Sequence, residues 1–281
     1  MNDERISIRH MRVNDVTLNV AFAGESNSGP TVLLVHGFPD DHRLWRQQIP
    51  VLARAGFRVV APDTRGCGDS QMPPGPPQDA SAYRMENLVA DLAGLLDALK
   101  LEQVLLVAHD WGAIQGWRFV MAHPQRVQKF IALSVGHPSA YGRCFWQNFK
   151  SLYMRVIQIR GIERLVAARD FALFKLLAHY PAESAHWVRQ CARPGRLSAG
   201  LAYYRANKEV LLAIDYPPVR VPVVGIWSDG DHFLTERQMI NSAHWCAAGF
   251  HYERVNGANH WLPLDAAEQV NFLLLKHLKT S

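Results

Sequence analysis

Three short apolar runs, separated by stretches with helical periodicity, constrain the fold of this chain more than any other feature. The runs begin at Thr31, Phe57 and Val104 and are rich in Val and Leu. Strands that are apolar on both faces are typical of a parallel sheet buried between layers of helices. Helical patterns lie between them, from Leu44 to Ala55 and from Tyr83 to Leu99. The alternation predicts an α/β fold with a mostly parallel, doubly wound sheet.

Further patterns extend this sheet at both ends. Two alternating runs, from Ile6 and from Val16, flank Asn14-Asp15, where a hairpin turn is expected, so we predict an antiparallel edge. The remaining patterns are a helix after Gly112, strands from Val127, Val221 and Phe250, and a terminal helix from about Leu264 to Lys279.

Between Pro138 and about Val219 the strand pattern stops, and the segment is rich in aromatic residues and arginine. Only helical signals occur there, over residues 141–158, 161–179, 182–193 and 197–213. We therefore predict a core domain of residues 1–137 and 220–281 that is interrupted by a helical cap domain of residues 138–219.

Composition narrows the class of protein. With 281 residues, of which 48% are hydrophobic and 20% charged, the chain can bury a large core, which excludes global disorder. The four cysteines lie far apart in the sequence, so neither a disulfide framework nor a cysteine-based metal site is indicated. A reducing cytoplasm fits this cysteine usage best.

The ends and charges of the chain exclude several partners. The N-terminus mixes acids and bases and has no apolar core, so it does not read as a signal peptide, and no run of about 18 apolar residues predicts a membrane span. The net charge is +5, but the basic residues are scattered along the chain and interleaved with acidic ones. We expect a cytoplasmic protein without a nucleic-acid or membrane partner, and a homodimer is compatible with the sequence.

The most informative turn is AHDWGA, where a buried strand ends at Asp110 and a helix begins at once. Ala108 and Gly112 flank this aspartate, and a sharp strand-to-helix turn needs such small neighbours. The pattern predicts a nucleophile elbow with a carboxylate at its tip. An aspartate in this place can also act as the N-cap of the helix.

A second loop, HGFPDD, follows the first buried strand. In a doubly wound sheet, ligands bind beyond the carboxyl ends of strands, so this loop and the elbow are expected to meet over one crevice. The backbone amides of Phe38 and Trp111 would then form an oxyanion hole. Taken alone, the tetrapeptide HGFP is also compatible with an ordinary turn.

A base and an orienting acid are expected near the end of the chain. His260 follows the last strand in a Gly- and Asn-rich loop, and the preceding strand ends in WSDGD, which contains Asp229 and Asp231. We predict Asp231 as the partner of His260, with Asp229 as the alternative. The order Asp110, Asp231, His260 is the order expected for nucleophile, acid and base on successive strands.

The ordered set HGFP, DTRGCGDS, AHDWGA, WSDGD and NHW resembles the α/β-hydrolase fold. More narrowly, it is similar to the epoxide hydrolase and haloalkane dehalogenase branch, which uses an aspartate nucleophile. The resemblance covers nearly the whole chain and departs from the family in Ala108, where glycine is commoner. It implies an α/β-hydrolase core with an inserted helical cap.

Two features of the resemblance favour an epoxide hydrolase. Haloalkane dehalogenases usually hold the halide with the tryptophan after the nucleophile together with an asparagine in the HGNP loop or a tryptophan in the lid, and here position 38 is phenylalanine. Epoxide hydrolases carry a Tyr-Arg pair in the lid, which resembles Tyr204-Arg205. The resemblance implies that Tyr204 is the acid that protonates the epoxide oxygen.

A second lid tyrosine is usual in that branch, and the sequence departs from it. Counting from Gly161 puts Val156 at the expected position, while Tyr153 lies one helical turn earlier. Tyr153 either serves from there or the site works with one phenol. For Tyr203 we expect a packing role.

The implied reaction opens a small apolar epoxide to a vicinal diol. Asp110 forms an alkyl-enzyme ester, and His260 activates the water that hydrolyses it, without a metal or organic cofactor. The alternatives are a haloalkane dehalogenase that uses the same nucleophile and a non-catalytic, ligand-binding α/β hydrolase.

Overall fold

A computed structural model of the chain describes residues 5–76, 79–178 and 180–279. The first residues of the chain and His179, the predicted end of one helix, lie outside the described residues. The strands are β1 (Ser7–Val13), β2 (Val16–Ala23), β3 (Thr31–Val35), β4 (Arg58–Pro62), β5 (Val104–His109), β6 (Val127–Leu133), β7 (Val223–Gly230) and β8 (Phe250–Asn259). The α-helices are α1 (Ile49–Arg54), α2 (Met85–Ala98), α3 (Trp111–Ala122), α4 (Pro138–Arg143), α5 (Phe145–Lys150), α6 (Tyr153–Ile157), α7 (Ile162–Ala178), α8 (Pro181–Ala192), α9 (Arg196–Ala206), α10 (Glu236–Ile240), α11 (Leu262–Asp265) and α12 (Ala267–Lys279).

The described strands form one sheet of eight, in the order β1-β2-β4-β3-β5-β6-β7-β8. The β1-β2 and β2-β4 pairs are antiparallel, and every pair from β4-β3 to β7-β8 is parallel. The α/β fold with a mostly parallel sheet and an antiparallel edge is therefore confirmed.

The apolar runs are explained by burial on both faces of the sheet. In β3, Leu33 and Val35 pack in the cluster that includes α2 and α3, whereas Val32 and Leu34 pack in the cluster that includes α1 and α12. All four side chains are buried completely. Since successive side chains of a strand point to opposite faces, each central strand must be apolar throughout.

The parallel arrangement gathers four loops at one edge of the sheet. Strands β3, β5, β7 and β8 end next to residues 36–39, Asp110, Asp231 and His260. Because these strands run in the same direction, their carboxyl ends lie on the same side, and segments far apart in sequence meet there.

The described residues between β6 and β7 contain helices α4 to α9. The predicted single helix over 141–158 is wrong: it consists of α4, α5 and α6. Cys144 separates α4 from α5 because its backbone is extended, with φ −83° and ψ 105°. The division into core and cap domains stays a prediction.

Two other helices of this segment differ from their predicted course. Helix α9 ends at Ala206 rather than Ala213, because the backbone of Asn207 leaves the helical conformation, with φ −127° and ψ 41°. The side chain of Asn207 holds it there by bonds to the backbone of Met85, Tyr83 and Tyr203. Helix α7 is broken at residues 168–171, where Arg169, Asp170 and Phe171 have positive φ.

Candidate active site

Asp110 lies at the tip of a sharp turn between β5 and α3. Its φ of 52° and ψ of −124° are rare for a residue with a side chain and are typical of strained functional turns. A Cβ at Gly112 would lie 2.4 Å from the carbonyl oxygen of Val35, so the turn can approach β3 only with glycine there. The small neighbour that the motif contains is therefore a steric requirement of this turn.

The HGFPDD loop meets the Asp110 carboxylate directly. The backbone N–H of Phe38 donates to Oδ1 of Asp110 over 3.0 Å, and the N–H of Trp111 is a second donor to this carboxylate. A Cβ at Gly37 would lie 2.3 Å from the same Oδ1, so glycine is what lets the loop come this close. Both amides predicted to form the oxyanion hole thus point at one carboxylate.

His260 lies between two aspartates. Its Nδ1 donates to Oδ2 of Asp231 over 2.8 Å, and its Nε2 lies 3.5 Å from Oδ2 of Asp110. The other oxygen of Asp231 accepts from the backbone N–H groups of Phe233 and Leu234, both at 2.8 Å. The imidazole is therefore held in one orientation, with Nε2 facing the elbow.

Asp229, the alternative partner, lies elsewhere. Its side chain accepts from the backbone N–H of Gly257 over 2.8 Å and is near the exposed Arg254. The pairing of β7 with β8 shifts register between Ser228 and Gly230, and the chain then turns inward so that Asp231 is buried. The structure thus brings Asp231, and not Asp229, to His260.

The three groups shift one another's pKa. Burial opposes a charge on His260, yet the Asp231 carboxylate and the neighbouring Asp110 together raise the pKa of His260 to about 10. Burial likewise opposes a charge on Asp110, but the hydrogen bond and charge of His260 outweigh it and lower the pKa of Asp110. At neutral pH, Asp110 is thus a carboxylate that faces an imidazolium.

Two tyrosines from the segment between β6 and β7 reach this site. The ring of Tyr204 packs on Trp111 with a centroid distance of 4.8 Å, and the ring of Tyr153 lies 6.2 Å from that of Tyr204. Burial and the nearby Asp110 charge raise the pKa of Tyr204. Burial and Tyr204 likewise raise the pKa of Tyr153. Both phenols therefore keep their protons at neutral pH.

The neighbouring positions point away from the site or serve packing. Val156 is 49% exposed, so the structure places Tyr153, rather than position 156, beside Tyr204. Tyr203 is buried, and its hydroxyl donates to the backbone carbonyl of Arg65 over 2.8 Å. This bond ties α9 to the loop after β4.

Comparison with known proteins agrees with this architecture. A family model of the alpha/beta hydrolase fold matches residues 30–267. The chain belongs to the alpha/beta hydrolase fold family. It is 32% identical to the AB hydrolase superfamily protein YfhM of Bacillus subtilis, with 98% of each chain covered.

Other relatives of this alpha/beta hydrolase carry a more specific name. Epoxide hydrolase A of Mycobacterium tuberculosis is 30% identical, with 96% of each chain covered. The crystal structure of an epoxide hydrolase from Vigna radiata superposes with a TM-score of 0.82 at 29% identity, with 98% of each chain covered.

Sequence reasoning did not single out two further residues of the alpha/beta hydrolase site. Asp40 is buried, and its two oxygens accept from the indole N–H groups of Trp187 and Trp261 at 2.8 and 3.0 Å. His109 donates from Nε2 to the backbone carbonyl of His260 over 2.9 Å. Both lie inside the quoted motifs HGFPDD and AHDWGA, but their partners come from distant segments that no local pattern indicates.

Proposed function

We propose that this alpha/beta hydrolase opens epoxides to vicinal diols through a covalent ester on Asp110. The observation that carries the proposal is the arrangement around that carboxylate, with His260 at 3.5 Å on one side and the paired phenols of Tyr153 and Tyr204 nearby. The names of the relatives from Mycobacterium tuberculosis and Vigna radiata support the same substrate class.

In the first step the carboxylate of Asp110 attacks one carbon of the epoxide ring, and the ring C–O bond breaks. The departing oxygen is a poor alkoxide leaving group and needs a proton in the transition state. Tyr204, assisted by Tyr153, supplies it, since burial keeps both phenols protonated. The product is an ester between Asp110 and the opened substrate.

Before the second step, His260 gives its proton to the phenolate of Tyr204, by way of solvent, and becomes neutral. A water molecule then gives a proton to His260 and attacks the carboxyl carbon of Asp110. The negative charge that develops on the ester oxygen is stabilised by the amides of Phe38 and Trp111, which already donate to the carboxylate. Collapse of this intermediate breaks the ester C–O bond, and the departing alkoxide takes the proton of the newly formed carboxyl group to become the diol. The carboxylate of Asp110 and the imidazolium of His260 are thereby restored, and one water is consumed in each cycle.

The walls of the site favour apolar substrates. Phe38 packs against Tyr204 and Phe174 with centroid distances of 5.9 and 6.3 Å, and Phe233 packs against His260 at 5.1 Å. The rings of Phe38, Phe174 and Phe233 exclude water from the first step and form no hydrogen bond with a hydrophilic substrate.

The arrangement argues against a haloalkane dehalogenase. A departing halide needs two N–H donors, but the side chain of Phe38 carries none, and the Trp111 side chain interacts with the phenol of Tyr204. A phenol is therefore placed where a dehalogenase would need an open donor.

The experiment that tests the proposal is a single turnover of His260→Gln with styrene oxide, followed by mass spectrometry of the peptide that contains Asp110. We expect the ester to accumulate, because attack by Asp110 is retained and activation of water is lost. Asp110→Ala is the matched control and should carry no adduct. An unmodified Asp110 peptide in His260→Gln would refute the mechanism.

A substrate panel separates the alternatives. The unsubstituted protein should release diol from styrene oxide and no bromide from bromoalkanes. Halide release without diol formation would indicate a dehalogenase, and tight binding of apolar ligands without turnover would indicate a binding protein.

A further inference from the structure

The outer side of α5 and α6 carries an unusual concentration of exposed apolar side chains. Phe145, Trp146 and Phe149 are 74%, 63% and 61% exposed, and their rings contact one another rather than the core. Three exposed aliphatic side chains follow within the next ten residues of the chain, and we call all six the α5–α6 face. The aliphatic members are Leu152, Val156 and Ile159.

Such a patch is costly in water, and contiguous apolar surfaces of this kind mark interaction sites. The same helices bury Gln147 and Met154 on their inner side, so the exposed apolar side chains lie on the side that faces away from the core. What distinguishes them from scattered exposed apolar residues is that three aromatic rings cluster there. We therefore expect a binding partner to cover the α5–α6 face.

The charges around the face indicate which partner fits. Residues 141–162 contain four basic side chains and no Asp or Glu. Arg143 is paired with Asp215, and Lys150 donates to backbone carbonyls. Arg155 and Arg160 are exposed among the apolar side chains. The rim of the face is thus positively charged.

A second copy of the chain fits this surface poorly. In a two-fold dimer built on the face, the same patch would meet itself, and the arginines of the two copies would be brought together without acids to pair with. Aromatic side chains flanked by arginine are instead the pattern of surfaces that insert into the headgroup region of anionic bilayers.

We propose that the α5–α6 face docks peripherally on anionic phospholipid membranes. Among the described residues, no helix qualifies as a membrane span. The proposed contact is of the interfacial kind, in which exposed aromatic side chains enter the headgroup region. This proposal departs from the sequence-based expectation of no membrane partner, which is still a prediction, because the sequence alone does not show which side of these helices is exposed.

The face lies directly behind the site. On the inner side of α5, the amide of Gln147 donates to the carbonyl of Phe233 over 2.9 Å, and on that of α6, Tyr153 packs against Phe233 at 5.8 Å. Docking therefore places these helices, which carry one of the two phenols, at the membrane surface.

The test is flotation of the full chain with vesicles of phosphatidylcholine alone and vesicles that contain phosphatidylglycerol. We expect flotation only with the anionic vesicles, and we expect salt to weaken it. Trp146→Ser with Phe149→Ser should abolish it. The matched control is Phe272→Ser, which removes a 67% exposed aromatic from α12 and should leave binding unchanged.

Charge is tested separately with Arg155→Gln and Arg160→Gln. Together they should reduce binding about tenfold to thirtyfold, whereas Arg12→Gln, an exposed arginine on β1, should not reduce it. Thermal unfolding checks that each variant is folded. Absence of flotation, equal binding to uncharged vesicles, or a dimer that dissociates in Trp146→Ser with Phe149→Ser would overturn the proposal.

Discussion

The Nε2 atom of His260 lies 3.5 Å from Oδ2 of Asp110. In the free protein these groups form an ion pair, because the same proximity raises the pKa of His260 to about 10 and lowers that of Asp110. Formation of the proposed ester removes the Asp110 charge, and with it one of the two carboxylates that hold the proton on His260. The chemistry of the first step would therefore prepare the imidazole to act as a base in the second.

The two steps should differ in their pH dependence. Ester formation needs ionised Asp110 and protonated phenols, so its rate should be flat between about pH 6 and 9. Ester hydrolysis needs neutral His260 and should rise with pH, with a midpoint below 10 because the ester carries no charge. Rapid-quench mass spectrometry measures both rate constants. Equal pH profiles for the two steps would contradict this account.

Replacing the two candidate acids should separate their roles. Asp231→Asn removes the carboxylate that orients His260 and raises its pKa, so hydrolysis of the ester should slow by roughly 10⁴-fold, as in Ser-His-Asp triads. Asp229→Asn is the matched control, since that side chain accepts from the backbone of Gly257 and pairs with Arg254 at the surface. The rate of ester hydrolysis in Asp229→Asn should stay within about twofold of the rate in the unsubstituted protein. Equal losses in both variants would show that His260 is not oriented by Asp231.

Much of this site could be predicted because its geometry is imposed locally. The turn at Asp110 needs glycine two residues later, and strands that are buried on both faces must be apolar throughout, so both leave marks in the sequence. Asp231 could be predicted as the partner of His260 rather than Asp229, because the chain needs several residues to turn over the edge of the sheet.

The features of the site that the sequence did not predict depend on contacts between segments that are far apart in the chain. The acceptor role of Asp40 depends on Trp187 and Trp261, which follow it by more than a hundred residues. The inward direction of Tyr153 depends on where the helices of the segment break. The extended residue at the first break is Cys144, which is neither Gly nor Pro, whereas the nearby Gly142 lies inside α4. Because the helical periodicity continues across these breaks, the sequence pattern predicted one helix where the structure has three.

The tyrosines offer a comparison between adjacent residues. Tyr204→Phe removes the proposed proton donor and should lower kcat/KM for styrene oxide by roughly 10² to 10⁴-fold. Tyr203→Phe removes the bond to the carbonyl of Arg65 and the weaker contacts of the hydroxyl with Cys67 and Thr64, so it should leave kcat/KM within a few-fold and lower the free energy of unfolding by about 1 kcal/mol. The loss of kcat/KM in Tyr153→Phe should lie between the losses in Tyr204→Phe and Tyr203→Phe. An unchanged rate of ester formation in Tyr204→Phe would exclude it as the acid.

The bond between Trp187 and Asp40 joins α8 to the loop that supplies the Phe38 amide. Weakening this bond should therefore lower the free energy of unfolding. Trp187 is fully buried, and its indole N–H donates to Oδ1 of Asp40. Trp187→Phe leaves that oxygen buried without its donor, and we expect the free energy of unfolding to fall by roughly 2 to 4 kcal/mol, from the lost donor and the smaller ring together. Urea denaturation measures the loss.

Trp146→Phe is the matched control for this change, since Trp146 is 63% exposed and should be neutral within about 0.5 kcal/mol. A cycle with Asp40→Asn then isolates the pair: if the bond contributes, the loss in the double variant will be smaller than the sum of the two single losses. Additive losses would mean that Trp187 stabilises the fold through packing alone, and that the loop is held in place by Trp261.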